Sequence, residues 1–197
     1  MKEYYQENHR KYYDQTFSID PTSFLSPLAR CLHPGSTVLD VGCGSGRDMR
    51  WLKDQDFQPE GFERSQGLAG LARVHSGCPV LEGDFDVHDF SGMKMDAILL
   101  VGALVHVPHE QFSGVLSNIL RALKPEGFTL ITMKEGQKIS EDAGDRVFYL
   151  WGDEALRAVF EQVNLTVVHF SRQVSKIRES DVWVGYVLKM HSKEVMP

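Results

Sequence analysis

One stretch of this 197-residue sequence is enough to predict its fold class: Val38-Leu39-Asp40-Val41-Gly42-Cys43-Gly44-Ser45-Gly46-Arg47-Asp48. The first four residues are mostly β-branched or apolar, which favours a buried strand. The glycines at 42, 44 and 46 allow the backbone to turn tightly into a helix and to approach a ligand closely. The stretch therefore predicts a strand, a glycine-rich turn and a helix, with a ligand site at the turn.

Outside this stretch, short β-rich runs alternate with segments of helical periodicity. Seven runs are expected to be strands: 37–41, 59–63, 79–82, 96–101, 128–133, 165–171 and 182–190. Helices are expected after Asp20-Pro21, after Gly46, after Ser65, over 109–123, and from Asp153 onward. About ten mostly polar residues separate the last two runs, too few for a helical crossover, so these runs should pair antiparallel. The predicted fold is α/β: a doubly wound, mostly parallel seven-stranded sheet with an antiparallel terminal strand and helices on both faces.

The composition fits a single domain over 1–197, with an N-terminal arm or helix over 1–18. Three cysteines without CxxC spacing argue against a disulfide scaffold and indicate a reducing compartment, so a cytoplasmic location is expected. The net charge of −6, without a block of basic residues, argues against nucleic acid as the main partner. No apolar run is long enough to cross a membrane, and the polar N-terminus lacks a signal-peptide core.

The glycine pattern also limits the class of ligand. A dinucleotide fingerprint needs glycine where this chain has Arg47, and a phosphate-binding loop needs a Gly-Lys pair, which the sequence lacks. Asp40, two residues before the first glycine, is unfavourable beside a pyrophosphate. The same carboxylate suits a cationic ligand that carries an ammonium and a sulfonium group.

The ends of the next two strands add polar residues to this edge of the sheet. Glu63, followed by Arg64, lies 21 residues beyond Gly42 and can accept hydrogen bonds from both hydroxyls of a ribose. Asp84 can accept from an adenine amino group, and Phe85 offers a backbone N–H and a ring face to the base. The alternatives are a solvated carboxylate at position 63, a turn aspartate at 84 and a core phenylalanine at 85.

Together these features resemble the class I S-adenosylmethionine (SAM) dependent methyltransferases, whose sheet is Rossmann-like. Residues 38–46 match the first motif of that family, Glu63 its ribose-binding acidic residue, and 83–85 its adenine loop. Residues 123–127, Leu-Lys-Pro-Glu-Gly, resemble the turn before its fifth strand, with glutamate where the family has glycine. The resemblance covers about residues 20 to 190 and implies SAM as the cofactor.

A closer resemblance is to small bacterial methyltransferases of mostly unassigned substrate, carried by residues 42–48, 104–108 and 134–136. Those proteins usually have aspartate where this chain has Glu63, which keeps the carboxylate. The resemblance also implies that Gly102 and Ala103 lie beside the methionine part of SAM and that the region of Tyr12 and Tyr13 covers it. The complete predicted cofactor-binding set is Asp40, Gly42, Cys43, Gly44, Gly46, Arg47, Glu63, Arg64, Asp84, Phe85, Gly102, Ala103 and Tyr13.

His106 is the candidate catalytic residue, because it follows the fourth strand and is expected to face the methyl group as a general base. The alternative is a structural histidine bonded to a nearby loop. Residues 135–148 are polar and glycine-containing, and are expected to form a loop that acts as a lid over the substrate site. Pro108 separates His106 from His109 and no HExxH pattern occurs, so no metal site is expected.

The expected function is transfer of a methyl group from SAM, by in-line displacement, to a small-molecule acceptor. The acidic charge, the short length and the lack of a separate recognition domain favour a small acceptor. The methylated atom, whether oxygen, nitrogen, sulfur, carbon or a metalloid, is left open. Two other functions are considered: an NAD-dependent oxidoreductase on a Rossmann-type fold, and a protein that binds SAM without catalysis.

Overall fold

A computed structural model describes residues 2–142 and 146–191 of the chain. Its helices are α1 (Lys2–Glu7), α2 (His9–Thr16), α3 (Thr22–Ala29), α4 (Arg47–Lys53), α5 (Gln66–Ser76), α6 (His109–Leu120) and α7 (Asp153–Gln162). Its strands are β1 (Thr37–Val41), β2 (Gln58–Glu63), β3 (Val80–Glu82), β4 (Met95–Val101), β5 (Leu123–Lys134), β6 (Ile139–Glu141), β7 (Val147–Tyr149), β8 (Leu165–Val174) and β9 (Val182–Met190). Within the described residues, no helix is both long and apolar enough to cross a bilayer.

Seven strands form one sheet in the order β3-β2-β1-β4-β5-β9-β8, which confirms the predicted doubly wound, mostly parallel seven-stranded sheet. β1 pairs parallel with β2 on one side and with β4 on the other, so that Asp40 lies opposite both Gly61 and Leu99. The chain therefore runs outward from β1 to β3 and then returns to the other side of β1. Ligand crevices in such sheets open at this switch in strand order, beyond the carboxyl ends of the strands.

The predicted antiparallel pairing of the last two strands is confirmed. β9 lies between β5 and β8 and is antiparallel to both, with Phe128 opposite Lys189 and Lys134 opposite Trp183. β8 thus forms the edge of the sheet, and a shift in its register lies between Val167 and His169. One reversed strand in a mostly parallel sheet is the arrangement expected from the sequence.

Two segments differ from the expectation. β5 begins at Leu123, where helix α6 was expected to end, because Leu123 already pairs with Met95 before Glu126 turns the chain with a φ of 62°. The stretch 135–148, expected to be a loop, contains a two-stranded hairpin in which β6 pairs with β7. Residues 143–145, within this predicted lid, lie outside the described residues.

The core occupies both faces of the sheet, as expected. On one face, Leu25 and Leu28 of α3 and Leu52 of α4 pack with inward side chains of β1, β4 and β5. On the other face, side chains of α6 and α7, such as Phe112 and Phe160, form the larger cluster with β4, β5 and β9. These two layers hold the strand ends rigidly, so the loops that follow the strands have a fixed frame.

The N-terminal helices α1 and α2 pack over the start of α5. The Ser65 hydroxyl donates to the carbonyl of Tyr5 at 3.1 Å, and the Gln66 N–H donates to the Gln6 side chain at 3.0 Å. The His9 ring lies so close to Gly67 that a Cβ there would approach it to 2.5 Å. The predicted arm is therefore helical, and it lies beside the crevice at the switch in strand order.

Candidate active site

A cavity of about 250 Å³ opens beyond the carboxyl ends of β1, β2 and β4. Eight residues selected from the sequence line it: Gly42, Gly44, Glu63, Arg64, Phe85, Gly102, Ala103 and His106. These residues come from loops that follow four different strands, and the parallel sheet brings them to one edge. We refer to this space as the first cavity.

The glycine-rich turn forms the floor of the first cavity. Gly42, Gly44 and Gly46 have φ angles of 72°, 54° and 76°, a left-handed conformation that favours glycine. The Gly42 N–H donates to the Phe62 carbonyl at 2.7 Å, which ties the turn to the end of β2. A Cβ at Gly46 would lie 2.8 Å from the Ala72 carbonyl oxygen, so this glycine allows the turn to pack on α5.

Glu63, at the end of β2, is buried and held in one orientation. One of its carboxylate oxygens accepts from the Gly44 N–H at 3.0 Å, and the other accepts from the Ser65 N–H at 2.8 Å. Burial raises the pKa of this carboxyl, and the backbone N–H donors partly oppose that rise. Each oxygen keeps a further lone pair, so Glu63 can accept from the hydroxyls of a ligand in the cavity.

The loop after β3 places its residues differently from the expectation. Phe85 and Asp86 line the first cavity, whereas Asp84 is not among the lining residues. Asp84 lies 3.6 Å from Arg64 in an ion pair, and its carboxylate accepts from the Asp86 N–H at 3.1 Å. The side chain of Asp84 thus shapes the loop that carries Phe85 and Asp86.

Asp40 lies directly behind the glycine-rich turn and lines neither cavity described here. Its Oδ2 is buried without a hydrogen-bond partner, and burial, with the nearby Asp48 carboxylate, holds its pKa well above the usual range. Asp48 is paired with Arg47, whose Nε donates to it at 2.6 Å. Cys43 is also buried, and burial raises the pKa of its thiol, so it stays protonated and packs against Gly61.

Two tyrosines of the N-terminal helices cover the first cavity. Tyr5 and Tyr12 line it, and their rings meet edge to face with centroids 5.1 Å apart. Tyr13, which was selected from the sequence, instead stacks on Phe17 and lies 3.3 Å from a ring nitrogen of His75. The structure therefore places Tyr12 over the cavity and Tyr13 against α5.

Both ring nitrogens of His106 are engaged. Nδ1 lies 2.5 Å from the Val147 carbonyl, which can only accept, so Nδ1 carries the proton. Nε2 then accepts from the Tyr5 hydroxyl at 2.8 Å. Burial lowers the pKa of His106 to about 4, and Arg146 and Lys134 add to this effect. The role of general base stays a prediction, and this geometry favours a histidine that positions Tyr5 and β7.

A second cavity of about 190 Å³ adjoins the first and shares four lining residues with it, Tyr5, Tyr12, Val101 and Gly102. Its other walls include the link between α2 and α3, the start of α3, the end of β5, the start of β9, the β6–β7 hairpin and the loop between β8 and β9. Arg47, selected from the sequence as a cofactor residue, lines this second cavity rather than the first. The two cavities therefore meet beneath the tyrosines, beside the end of β4.

Some lining residues of the first cavity were not selected from the sequence: Tyr5, Tyr12, Phe62, Ser65, Leu68, Asp86, Val101, Val107, Pro108 and Gln111. Most adjoin a selected residue in the chain, so a wider window around each strand end would have included them. Tyr5 is different, because it reaches the cavity from an N-terminal helix remote in sequence. Among the described side chains, no group of three or more His, Cys, Asp or Glu is arranged to hold a metal ion.

The residues of the first cavity fit a SAM molecule. Glu63 presents a fixed, buried carboxylate that suits the two hydroxyls of a ribose. Burial disfavours the ionised form of the Asp40 carboxyl behind the glycine-rich turn, and the positive ammonium and sulfonium groups of SAM would offset that cost at its unpartnered oxygen. Phe85 offers a ring for the base.

Comparison with known proteins agrees with this fit. The family described as "Methyltransferase domain" matches residues 38–127. Sterol 24-C-methyltransferase of Yarrowia lipolytica is 34% identical over 107 residues, which are 49% of this chain and 27% of that protein. The chain thus spans little more than a quarter of the length of this curated relative.

Solved structures share the whole architecture. Magnesium protoporphyrin IX methyltransferase from Synechocystis PCC 6803 with bound S-adenosylhomocysteine (SAH) superposes with a TM-score of 0.77 at 13% identity, over 96% of this chain and 97% of that one. 1,6-Didemethyltoxoflavin-N1-methyltransferase from Burkholderia thailandensis gives a TM-score of 0.74 at 18% identity, over 96% and 88% of the two chains. These comparisons give no support to an oxidoreductase. Residues 38–127 thus match the methyltransferase domain family, and the chain shares its fold with these solved methyltransferases.

Proposed function

We propose that this chain transfers the methyl group of SAM to a small-molecule acceptor. One observation carries the proposal: two cavities meet at Tyr5, Tyr12, Val101 and Gly102, beside the glycine-rich turn. Transfer between two molecules needs two adjoining sites whose reacting atoms can approach within contact distance. The first cavity fits the cofactor, so the second is the place for the acceptor.

In this proposal the loops that follow β2, β3 and β4 each contact a different part of SAM in the first cavity. Glu63 binds the ribose, Phe85 and Asp86 contact the adenine, and Gly102 and Ala103 lie beside the methionine part. Asp40 lies behind the turn, where the positive charge of SAM favours its ionised form, and Cys43 and Gly46 keep the turn close to β2 and α5. Arg64 and Asp84 hold the adenine loop, and Arg47 belongs to the acceptor side. Tyr12, rather than Tyr13, covers the cofactor.

Bound SAM would supply a methyl group that its sulfonium makes reactive toward nucleophiles. The contribution of the chain is to align the acceptor with that group and to exclude water. Tyr5 and Tyr12 close the junction of the cavities, and His106 fixes the Tyr5 hydroxyl there. If the acceptor atom is already deprotonated, alignment and exclusion of water are enough to account for catalysis, and no general base is needed.

The names of related proteins support a small acceptor: they methylate a sterol, a magnesium porphyrin and a didemethyltoxoflavin. The second cavity, at about 190 Å³, accommodates a compact molecule rather than a macromolecular segment. We also propose that no nucleic acid takes part, that residues 1–197 form one domain and that it works in the cytoplasm. The acidic net charge of −6 and the three free cysteines support these points.

Thermal unfolding with SAM, SAH and NAD tests the proposal. A ligand at 100 times its dissociation constant stabilises the folded state by about 2.7 kcal/mol, which raises the Tm by roughly 5–10 °C for a chain of this size. We expect this rise with SAM and SAH and not with NAD. A rise in Tm with NAD alone would contradict the proposal, and so would the absence of a rise with all three ligands.

The variant Glu63→Gln tests the predicted ribose contact. Because it removes the charge but keeps the shape, we expect SAM and SAH to bind at least about tenfold more weakly, a loss of about 1.4 kcal/mol. Glu60→Gln is the matched control, since Glu60 is exposed on the same strand. Equal weakening in both variants would show that position 63 has no special role in binding.

A further inference from the structure

The second cavity has an unusual distribution of charge. Five cationic side chains line it: Arg47, Lys134, Arg146, Lys176 and Arg178. Two carboxylates, Asp20 and Asp181, share its walls. In a protein with a net charge of −6, this is a local reversal of sign.

The ion pairs around this cavity leave positive charge in excess. Lys134 lies 2.7 Å from Asp181, and Arg47 is paired with Asp48. Arg146 and Arg178 both donate to the same oxygen of Asp142, at 2.5 and 3.3 Å, so one carboxylate serves two guanidinium groups. Among the described residues, the five cations thus face four exposed or paired carboxylates, which are the two in the walls, Asp48 and Asp142. A fifth carboxyl, Asp40, also lies near Arg47, but burial disfavours its ionised form.

The excess charge lies toward the open side of the cavity. Lys176 donates to the backbone carbonyl of Asp20 at 2.8 Å. Arg178 shares Asp142 with Arg146, and 46% of its side-chain surface is exposed. Both residues belong to the loop between β8 and β9, so they can turn toward a ligand without disturbing the core.

The side of the second cavity that lies nearer the first cavity is aromatic. Phe148 and Trp183 line it, and Lys134 lies 3.8 Å from the centroid of the Phe148 ring. A Cβ at Gly102 would lie 3.2 Å from the Trp183 ring, which places this ring at the junction of the two cavities. A flat, apolar group would therefore pack against these rings beside the methyl group.

We propose that the acceptor is a small anionic compound with a planar aromatic body. Its ring would lie against Phe148 and Trp183, and its anionic group would accept hydrogen bonds from Lys176 and Arg178. The inference rests on the proposed function, since it takes the second cavity to be the acceptor site. Bound SAM adds one net positive charge nearby, which further favours an anion.

Binding of matched probes to the SAH-saturated protein tests this inference. Each set has one ring system in three charge states: 2-naphthoate, 2-naphthamide and 2-naphthylmethylammonium, with benzoate and indole-3-acetate sets built the same way. By isothermal titration calorimetry, we expect at least one acid to bind about tenfold more tightly than its amide, and the ammonium compounds to bind most weakly. Amides or ammonium compounds that bind as tightly as the acids, or acids that do not bind, would overturn the inference.

The double variant Lys176→Gln/Arg178→Gln tests whether these two side chains cause the preference for acids. We expect the preference for acids to fall to about threefold or less while the dissociation constant of SAH stays unchanged. Arg30→Gln/Lys94→Gln is the control for net charge, because it also removes two positive charges, at exposed residues that line neither cavity. A preference that persists in the double variant would refute the assigned contacts. If SAH itself fails to bind the native protein, the proposed function fails instead, so the two failures are distinguishable.

Discussion

Three glycines in the turn after β1 have the same left-handed backbone but different surroundings. A Cβ at Gly42 would meet Ala103 at 2.9 Å, and one at Gly44 would meet the Tyr12 ring at 3.2 Å. A Cβ at Gly46 would meet backbone atoms of α5 within 2.9 Å, and these cannot move aside. Of the three, Gly46 is therefore the most strictly required for folding.

We expect Gly46→Ala to lower the free energy of unfolding by about 2–4 kcal/mol, from the left-handed φ and the contact with Ala72. Gly114→Ala is the matched control, because no atom would lie within 4 Å of its new Cβ. In the middle of α6 this change should stabilise the fold by about 0.5–1 kcal/mol. Urea unfolding of both variants measures the difference, and a Gly46→Ala variant as stable as the native chain would refute the packing argument.

His106 should make stability depend on pH. Burial lowers its pKa to about 4 in the folded state, against 6.5 in an unfolded chain. As the pH falls below 6.5, the unfolded chain binds a proton that the folded chain does not, so stability is lost. The charged and titratable groups near this ring are Tyr5, Arg146, Lys134 and Asp142.

From this group alone, the loss between pH 7.5 and 5 is up to about 2 kcal/mol. His106→Gln keeps a donor for the Val147 carbonyl and an acceptor for Tyr5, but it cannot titrate. We therefore expect the free energy of unfolding of the variant to fall less steeply with decreasing pH than that of the native chain. Identical slopes would show that His106 does not have the lowered pKa.

At the scale of elements, α1 and α2 line the first cavity without packing on the sheet. Tyr5 and Tyr12 reach the cavity from these helices, which are held to α5 by a few contacts such as Ser65 to the Tyr5 carbonyl. Elements with few buried contacts open most easily. We therefore expect cofactor entry to depend on the opening of these two helices.

We expect amide hydrogen exchange in α1 and α2 to slow when SAH binds, because the ligand adds contacts to Tyr5 and Tyr12. Amides of the edge strand β8 provide the internal control, since β8 lines neither cavity over most of its length. Mass spectrometry of peptic peptides measures both regions in one experiment. Unchanged exchange in α1 and α2 at saturating SAH would contradict a covering role.

The order of elements followed directly from the sequence because apolar periodicity is strong in β1, β4, α6 and β9. The β6–β7 hairpin was missed for a physical reason: Ile139, Ser140 and Glu141 are all exposed, so no apolar alternation marks β6. The start of β5 was missed because Pro125 and Gly127 are residues typical of turns. Local sequence patterns indicate which residues are buried. The strand conformation of β6 and of the start of β5 depends instead on the strands with which they pair.

The site was predictable only where it follows strands. Gly42, Gly44 and Glu63 follow from chain position alone, since parallel strands end at one edge. The second cavity is assembled from segments distant in sequence, such as Asp20, Phe148 and Trp183. The sequence indicated only that the segment 135–148, which contains Phe148, would cover the substrate site. That it meets Asp20 and Trp183 there is shown only by the folded chain.

For the whole molecule, the net charge of −6 contrasts with the cationic second cavity. Long-range repulsion from the acidic surface and short-range attraction in the cavity act on an anionic acceptor in opposite directions. Salt screens exposed charges at distances beyond about 10 Å at 0.1 M ionic strength, and closer pairs need more salt. The dependence of binding on salt therefore reports which effect is larger.

We expect the local attraction to be larger. Binding of 2-naphthoate to the SAH-loaded protein should weaken about threefold or more when NaCl is raised from about 0.05 to 0.5 M. SAH carries one positive and one negative group, so its own affinity should change little and serves as the control. Titration calorimetry at both salt concentrations measures the two constants. A 2-naphthoate affinity that rises with salt would mean that surface repulsion dominates.

The position of β9 has a consequence for how the chain is made. Of the seven strands in the sheet, β9 is translated last, yet it lies between β5 and β8 rather than at an edge. Until residues 182–190 have been synthesised, β5 keeps an open edge and β8 has no place in the sheet. A nascent chain with an exposed β5 is liable to pair with other chains. Chaperone binding during translation should therefore concentrate on the interval between the synthesis of β5 and that of β9.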